Sequence, residues 1–381
     1  MKRGLVLTML VAVGSLLIFW IPFLLRSGTM WGIMFGNSGM DTVVRNFDGL
    51  NYLVVAKTWY DPEQISRLNE SFLTGNSPIY FSAHFPGLPA VIGLFDQLFT
   101  GPNALLATIF LGNILLPVGL YLFFETLFSK KIAILSAVVA LFLPARMLVV
   151  RGVGSTEPLF MFFVLMSLVF HVRGKDFISG MWGALAVLTR APGILLFLGY
   201  FVNLCYHYKF ELKRVARSVL PYAVMPIALL ALWGFYGYRY GDFFAYFNSG
   251  DNIHLFFPPF QIFSGSQAWS GGMWLEDVIY VYLIFTVGCL LFYRNYRDKV
   301  GAGGIFAFIY LISVFFVAHR DIARYSLPLA PFVVAGYFRY LERHERWVKV
   351  VLAVLIVPIY LYGWQFILQN VQPINDWTPL L

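Results

Sequence analysis

Long, uninterrupted apolar runs recur along the chain and constrain its fold more than any other feature. Stretches such as "GLVLTMLVAVGSLLIFWIPFLL", "ALLATIFLGNILLPVGLYLFF" and "VVLAVLIVPIYLYGWQFIL" are each close to the roughly 20 residues that a helix needs to cross a hydrocarbon layer of about 30 Å. In lipid every backbone amide must be bonded within its own segment, so helices are the expected solution. A β-barrel is excluded, because its strands would alternate in hydrophobicity. Of 381 residues, 59% are hydrophobic, 19% aromatic and only 12% charged, outside what a soluble domain needs to stay dissolved. The chain reads as an all-α polytopic membrane protein. About eleven spans are expected, near 4–25, 104–127, 132–150, 156–172, 177–190, 192–207, 218–238, 276–293, 302–318, 324–341 and 347–369. The fifth and sixth are separated only by "RAPG", so they read either as two helices or as one broken or re-entrant helix.

Lysine and arginine set the expected orientation. With a cytoplasmic N-terminus, the inner connectors hold "KR", "SKK", "HVRGKD", "YKFELKRVAR", "YRNYRDK" and "RYLERHERWVK", roughly 17 of the 27 basic residues. The first apolar run is too long for a signal peptide, and no small-residue cleavage site follows it, so it reads as a retained signal anchor. The net charge of +8 is then a topological signal reinforced by anionic lipid, and it needs no nucleic acid.

Two segments on the external side are too long for plain connectors. The first, 26–103, contains a helix-like stretch at 49–60 and "HFPGLPAVIGLFDQLF", which is too short to span and reads as an interfacial helix. The second, 239–275, is rich in aromatic residues, which argues against disorder. With no internal repeat and no soluble domain in view, residues 1–381 read as a single integral domain.

The two cysteines, Cys205 and Cys289, fall inside spans and read as small buried hydrophobes. Six scattered histidines give no zinc motif, and no phosphate-binding glycine loop is present. What remains is a set of ionisable groups assigned to one face: Asp41, Asp48, His84, Arg151, Glu157, Arg190, His319, Arg320, Asp321 and Arg324. Such groups at a membrane boundary are expensive, so their collection on one side is a functional hypothesis. For any one of them alone, ordinary solvation of a loop is the competing reading.

Several short elements resemble the PIG-V-like mannosyltransferases of the GT-C glycosyltransferase superfamily. "RNFDGLNYLVVAKTWYD" looks like the family's Trp-Asp-x-x-x-Tyr-x-x-Ile-Ala-x-x-Gly-Tyr element, with Phe47 in place of the usual Trp and Trp59 where Gly is common. "FSAHFPGLPAVIGLF", "STEPLFMFF", "GALAVLTRAPGILL", "YGDFFAYF" and "RDIARYSLPLAPF" are similar to later family elements and occur in family order from about residue 40 to 332.

The resemblance implies a GT-C-like bundle whose donor is a sugar on a polyprenyl phosphate, with mannose as the implied sugar. In an inverting transfer a carboxylate takes the acceptor hydroxyl's proton and cations hold the departing phosphate. Asp48 is the candidate general base, expected on a helix lying in the interface. Arg320 and Arg324, four residues apart, would share one helix face and bind phosphate in fork geometry. Arg190 is a third candidate for the phosphate, against a snorkelling anchor as the alternative. His84 is a weaker candidate for hydrogen bonding to phosphate or acceptor. Tyr52 falls on the motif's tyrosine and is assigned to substrate. Glu157 stays open among helix capping at "GSTEP", contact with a sugar hydroxyl, and ligation of a divalent cation together with Asp48.

The competing function is a transporter or flippase of lipid-linked sugars, which would show repeated halves and interrupted helices near the middle of the bilayer. The acceptor is open among a glycolipid, a polysaccharide and a protein hydroxyl. The short inner loops suit a prokaryotic plasma membrane, whereas "NES" at 69–71 would be a glycosylation acceptor in an endoplasmic reticulum lumen.

Overall fold

The computed structural model describes residues 2–69, 75–250, 254–265, 274–374 and 376–381. Helix α1 (Lys2–Leu24) is followed by a small antiparallel hairpin, β1 (Thr29–Met30) and β2 (Ile33–Met34), with Thr29 opposite Met34. The rest of the long segment between α1 and the next long helix is a string of short helices: α2 (Met40–Val44), α3 (Gly49–Thr58), α4 (Pro62–Asn69), a 3-10 turn (Pro78–Ala83) and α5 (Gly87–Phe95). At nine residues, α5 is too short to cross a bilayer, as the length of its apolar stretch foretold. Glu70 and Ser71 of the "NES" triplet lie outside the described residues.

The bundle continues with α6 (Gly101–Leu127), α7 (Lys130–Phe142), α8 (Arg146–Gly152), α9 (Glu157–Val172), α10 (Asp176–Thr189), α11 (Ile194–His207), α12 (Leu212–Val219) and α13 (Val224–Tyr240). It is completed by α14 (Leu275–Phe315), α15 (Ile322–Ser326), α16 (Ala330–Leu341) and α17 (Glu345–Gln369). Every expected span is helical, but four elements among the described residues are long and apolar enough to cross a membrane unaided, or up to six if each bent pair is one span.

The differences from eleven simple spans have local causes. The third span is broken: α7 and α8 meet at 79° across "LPA", where Pro144 can neither donate to the helical ladder nor accommodate the preceding turn. The seventh span is also bent: the basic helix α12, continued to Tyr222, meets α13 at 57°. The eighth and ninth run as one element, interrupted at Val300 by non-helical backbone (φ −138°, ψ 50°). The fifth and sixth are two helices, because Arg190 is extended (φ −153°, ψ 140°). On either side of that break, α10 packs on α9 and α13 while α11 packs on α14.

Helix ends meet in two groups. Lys131 at the start of α7 pairs with Glu345 at the start of α17, at 2.6 Å. The end of α9 and the start of α10 meet through Tyr222, whose hydroxyl donates to Asp176 Oδ1 at 2.7 Å and lies 2.6 Å from His171 Nδ1. The start of α9, the end of α10 and α15 gather with the segment between α1 and α6.

Two close backbone approaches bring that end together. A Cβ on Gly154 would lie 2.9 Å from the Cα of Gly49, so the turn before α9 rests directly on the start of α3. A Cβ on Gly87 would lie 2.8 Å from the Cα of Thr189, which sets α5 against the end of α10. Residues beyond α17 finish the packing. Arg45 and Gln372 exchange bonds, Arg45 Nε to the Gln372 carbonyl at 2.7 Å and Gln372 N–H to the Arg45 carbonyl at 2.9 Å, while Asn46 Nδ2 donates to the Ile367 carbonyl at 3.0 Å.

Candidate functional site

Asp48 stands at the end of a tight turn. Phe47 before it takes the left-handed conformation (φ 48°), and Asp48 itself has non-helical backbone (φ −93°, ψ 17°) at the start of α3. The expectation that Asp48 lies within a helix is thus corrected: it is the boundary residue, and its carbonyl accepts the Tyr52 N–H at 2.9 Å. Its side chain makes no capping bond. That leaves the carboxylate, 31% exposed, for other partners. Arg324 Nη2 donates to Oδ2 at 3.4 Å, and His84 Nε2 lies 3.9 Å from Oδ1. Burial would raise this carboxyl, but the His84 imidazole and the Arg324 charge outweigh it and hold the group well below the usual carboxylate range.

Arg324 is the hub of the cluster. Its Nε donates to Glu157 Oε1 at 2.6 Å, and its guanidinium sits over the Phe47 ring, 4.2 Å from the centroid. Arg190 pairs with the same Glu157 oxygen. Glu157 is fully buried, and its Oε2 has no hydrogen-bond partner among the described residues. Two carboxylates and two guanidiniums therefore alternate through a largely buried volume, an arrangement in which removal of one member leaves another uncompensated.

This geometry resolves three expectations. Helix capping does not account for Glu157: Thr156 makes no cap bond, and the Ser155 hydroxyl donates to the Val150 carbonyl at 2.6 Å. Glu157 is instead a bridge between two arginines, in a first helical turn that favours its charge. Arg190 does not snorkel, because the extended backbone at the end of α10 turns it inward onto Glu157. Arg320 does not share a helix face with Arg324. Helix α15 starts only at Ile322, so Arg320 lies in the preceding turn, exposed, with no ion pair among the described residues.

His84 is buried, its Nε2 3.3 Å from the Asn51 amide nitrogen. Tyr52 packs edge-on against its ring at 5.3 Å, and the Tyr60 hydroxyl donates to the His84 carbonyl at 2.6 Å. His319 stacks beside His254 at 4.5 Å and accepts the Asp321 N–H on Nδ1 at 3.0 Å. Burial together with the charges of His254, Arg324 and Arg320 pushes the His319 imidazole down to about 4, which keeps it neutral near pH 7. Two outward-assigned groups stand apart. Asp41 pairs with Arg45 at 3.6 Å. Arg151 is fully buried, bonded to Asn113 Oδ1 at 2.6 Å, Ser15 Oγ at 3.1 Å and the Leu141 carbonyl at 3.2 Å, and so ties α1, α6, α7 and α8 together.

Sequence reasoning missed Arg146. It pairs with Asp321 Oδ1 at 2.7 Å and lies over the Phe366 ring at 3.8 Å. A cation two residues after the proline that breaks the third span was the available signal. For a divalent cation the donor set does not fit: Arg324 already sits between the Asp48 and Glu157 carboxylates. No group of three or more His, Cys, Asp or Glu side chains converges among the described residues.

No family model matches the sequence, and no curated protein matches it. Solved structures do resemble the fold. The archaeal oligosaccharyltransferase AglB from Archaeoglobus fulgidus, in complex with an inhibitory peptide and a dolichol-phosphate, aligns with a TM-score of 0.57 at 13% identity over 99% of this chain and 57% of its own. An Archaeoglobus fulgidus oligosaccharyltransferase in complex with Zn and sulfate gives 0.56 at 15% identity, over 98% of this chain and 54% of its own. ArnT from Cupriavidus metallidurans bound to undecaprenyl phosphate gives 0.57 at 15% identity, over 91% of this chain and 62% of its own. The chain spans less than two thirds of the length of each. At such identities the likeness establishes architecture: this is an all-α polytopic membrane protein with the GT-C fold.

Proposed function

We propose that the chain is a membrane glycosyltransferase that moves a sugar from a polyprenyl-phosphate donor to an acceptor hydroxyl at the external membrane face, with inversion at the anomeric carbon. The observation that carries this reading is the contact of Asp48 with Arg324, a carboxylate and a guanidinium at one end of a GT-C bundle. The fold supports it, as do the lipid phosphates bound in two of the similar structures. Mannose is the sugar that the PIG-V-like elements suggest.

Asp48 takes the proton of the acceptor hydroxyl as its oxygen forms the new bond to the anomeric carbon, while the bond from that carbon to the phosphate oxygen breaks and its electron pair leaves with the lipid phosphate. Arg324 receives the phosphate charge. In the resting protein this same arginine engages Asp48, and a carboxylate so stabilised is a weak base. A donor phosphate competes for the guanidinium, so donor arrival loosens the pair and raises the basicity of Asp48. Base activation is thereby coupled to occupancy by donor. Arg190 supports Arg324 through Glu157, whose buried Oε2 has no hydrogen-bond partner among the described residues and would take a sugar hydroxyl only once the cluster opens to donor. His84 and Tyr52 back the Asp48 side of the site from buried positions, and the exposed Arg320 reaches the lipid phosphate from solvent.

The reading includes a plasma-membrane location with the N-terminus in the cytoplasm. Its test is to offer the purified, reconstituted protein a panel of polyprenyl-phosphate sugars with glycolipid, polysaccharide and peptide acceptors. Consumption of one donor with release of polyprenyl phosphate is the expected result. Movement of lipid-linked sugar between leaflets without consumption would make the protein a flippase.

A further inference from the structure

Arg324 is held by more than its carboxylates. The Phe47 ring beneath it packs against Phe366 of α17 at 5.5 Å between centroids, and Phe366 carries the Arg146 guanidinium at 3.8 Å. Arg146 Nη2 lies 2.7 Å from Asp321 Oδ1, and the Asp321 carbonyl accepts the backbone N–H of Arg324 at 2.9 Å. The contacts close a ring through Arg324, Phe47, Phe366, Arg146 and Asp321. It joins the turn before α3, α17, α8 and the start of α15. Phe47 immediately precedes Asp48, so the ring on which Arg324 stacks and the carboxylate that it contacts share one short piece of backbone.

We propose that Arg146 is a positioning residue that, through Phe366 and Asp321, fixes the plane of Arg324 over Phe47 and with it the separation of Arg324 from Asp48. This rests on the roles given above to Arg324 and Asp48. Arg146 touches neither reacting group; it acts by holding the frame in which they meet. Lysine in its place keeps the charge opposite Asp321 but lacks the planar face that stacks on Phe366.

Two measurements on the reconstituted full chain test the proposal. Arg146→Lys should weaken binding of sugar-free polyprenyl phosphate and raise the donor KM by about 3- to 30-fold, with kcat changed less. Phe47→Leu should have a similar effect, and the double variant should fall short of the product of the two, because both act in one network. The second measurement needs no donor. Difference infrared spectroscopy, with Asp48→Asn for assignment, follows the titration of the Asp48 carboxylate, which is faced by Arg324, His84 and Tyr52; Arg146→Lys should move it upward toward the ordinary carboxylate range. If that variant does not fold, Asp321→Asn breaks the same ring. An unmoved titration, or independent effects of Arg146→Lys and Phe47→Leu, would overturn the positioning role. A moved titration in a protein that binds no polyprenyl phosphate would support the positioning role and sink the glycosyltransferase reading.

Discussion

Asp48 and Arg324 are 276 positions apart in the chain and meet at 3.4 Å. If the carboxylate of this pair takes the acceptor's proton, Asp48→Asn keeps the shape of the turn but has no basic oxygen. Turnover should fall by about 10² or more, with donor binding retained, in a transfer assay on purified protein. Asp41→Asn is the comparison: Asp41 pairs with Arg45 at the surface and should lose much less. A severe loss in Asp41→Asn with a mild one in Asp48→Asn would reverse the assignment.

The same pair gives the pH dependence a direction. Asp48 is held below the usual carboxylate range in the resting protein, so it stays ionised as pH falls and the acid limb of kcat/KM, which reports the free enzyme, should lie low. Once donor phosphate draws Arg324 away, the carboxyl titrates higher, and the acid limb of kcat should fall at higher pH than that of kcat/KM. Coincident limbs would mean that Arg324 stays on Asp48 throughout the cycle.

Arg324→Ala should weaken donor affinity by about 1.5–3 kcal/mol, the worth of a charge-assisted contact. It also leaves Arg190 as the one ion-pair partner of Glu157 among the described residues. Arg324→Lys should restore part of the loss, since an ammonium cannot contact Asp48 and Glu157 in fork geometry while stacking on Phe47. Isothermal titration with sugar-free polyprenyl phosphate separates this effect from turnover, and unchanged binding in Arg324→Ala would move the phosphate site elsewhere.

Gly154→Ala tests the packing that brings Glu157 to Asp48. The new methyl would lie 2.9 Å from the Gly49 Cα and 3.0 Å from a Leu105 methyl, so backbone must shift. A cost of about 1–3 kcal/mol in stability is expected, together with lost activity, because the turn before α9 and the start of α3 would separate. Thermal unfolding in detergent and the transfer assay should both register the change, and normal behaviour in both would mean that the approach is looser than described.

Sidedness is testable with single cysteines. Probes at Ser129 and Asp298 should label only from the cytoplasm, and probes at Ser77 and Ser264 only from outside. External labelling at Asp298 would place the Asp48 cluster on the cytoplasmic side.

The helices were legible because lipid leaves the backbone so few choices, whereas the break at Pro144 was not: Pro117 and Pro358 lie inside continuous helices, so a proline in an apolar run does not by itself mark a break. The site was legible in part because charges are scarce in this chain: Asp48, Glu157, Arg190 and Arg324 stood out against an apolar background, and they do converge. Their detailed roles were not legible, since a spacing of four predicts a shared face only where the backbone is already helical, and α15 starts two residues after Arg320. Direction was lost for the same reason at Arg190, whose inward turn depends on one extended residue. Arg146 carried no periodic signal at all: its partners Phe366 and Asp321 are brought to it only by tertiary packing. Trp59 takes the left-handed conformation (φ 46°) at the end of α3, the backbone that glycine adopts most readily.

The turn that carries Asp48 is completed by residues synthesised much later. Asn46 bonds the Ile367 carbonyl and Arg45 the Gln372 carbonyl, across separations of 321 and 327 positions. A ribosome delivers the aspartate well before α17, while the last turn of α17 and the residues after it, which pin its turn, follow much later. A chain arrested before α17 therefore presents the base without its mount. On the proposed reading, catalytic competence waits for α17 and the residues after it rather than accumulating as the bundle grows, so chains that lack them would stay chemically silent in the membrane.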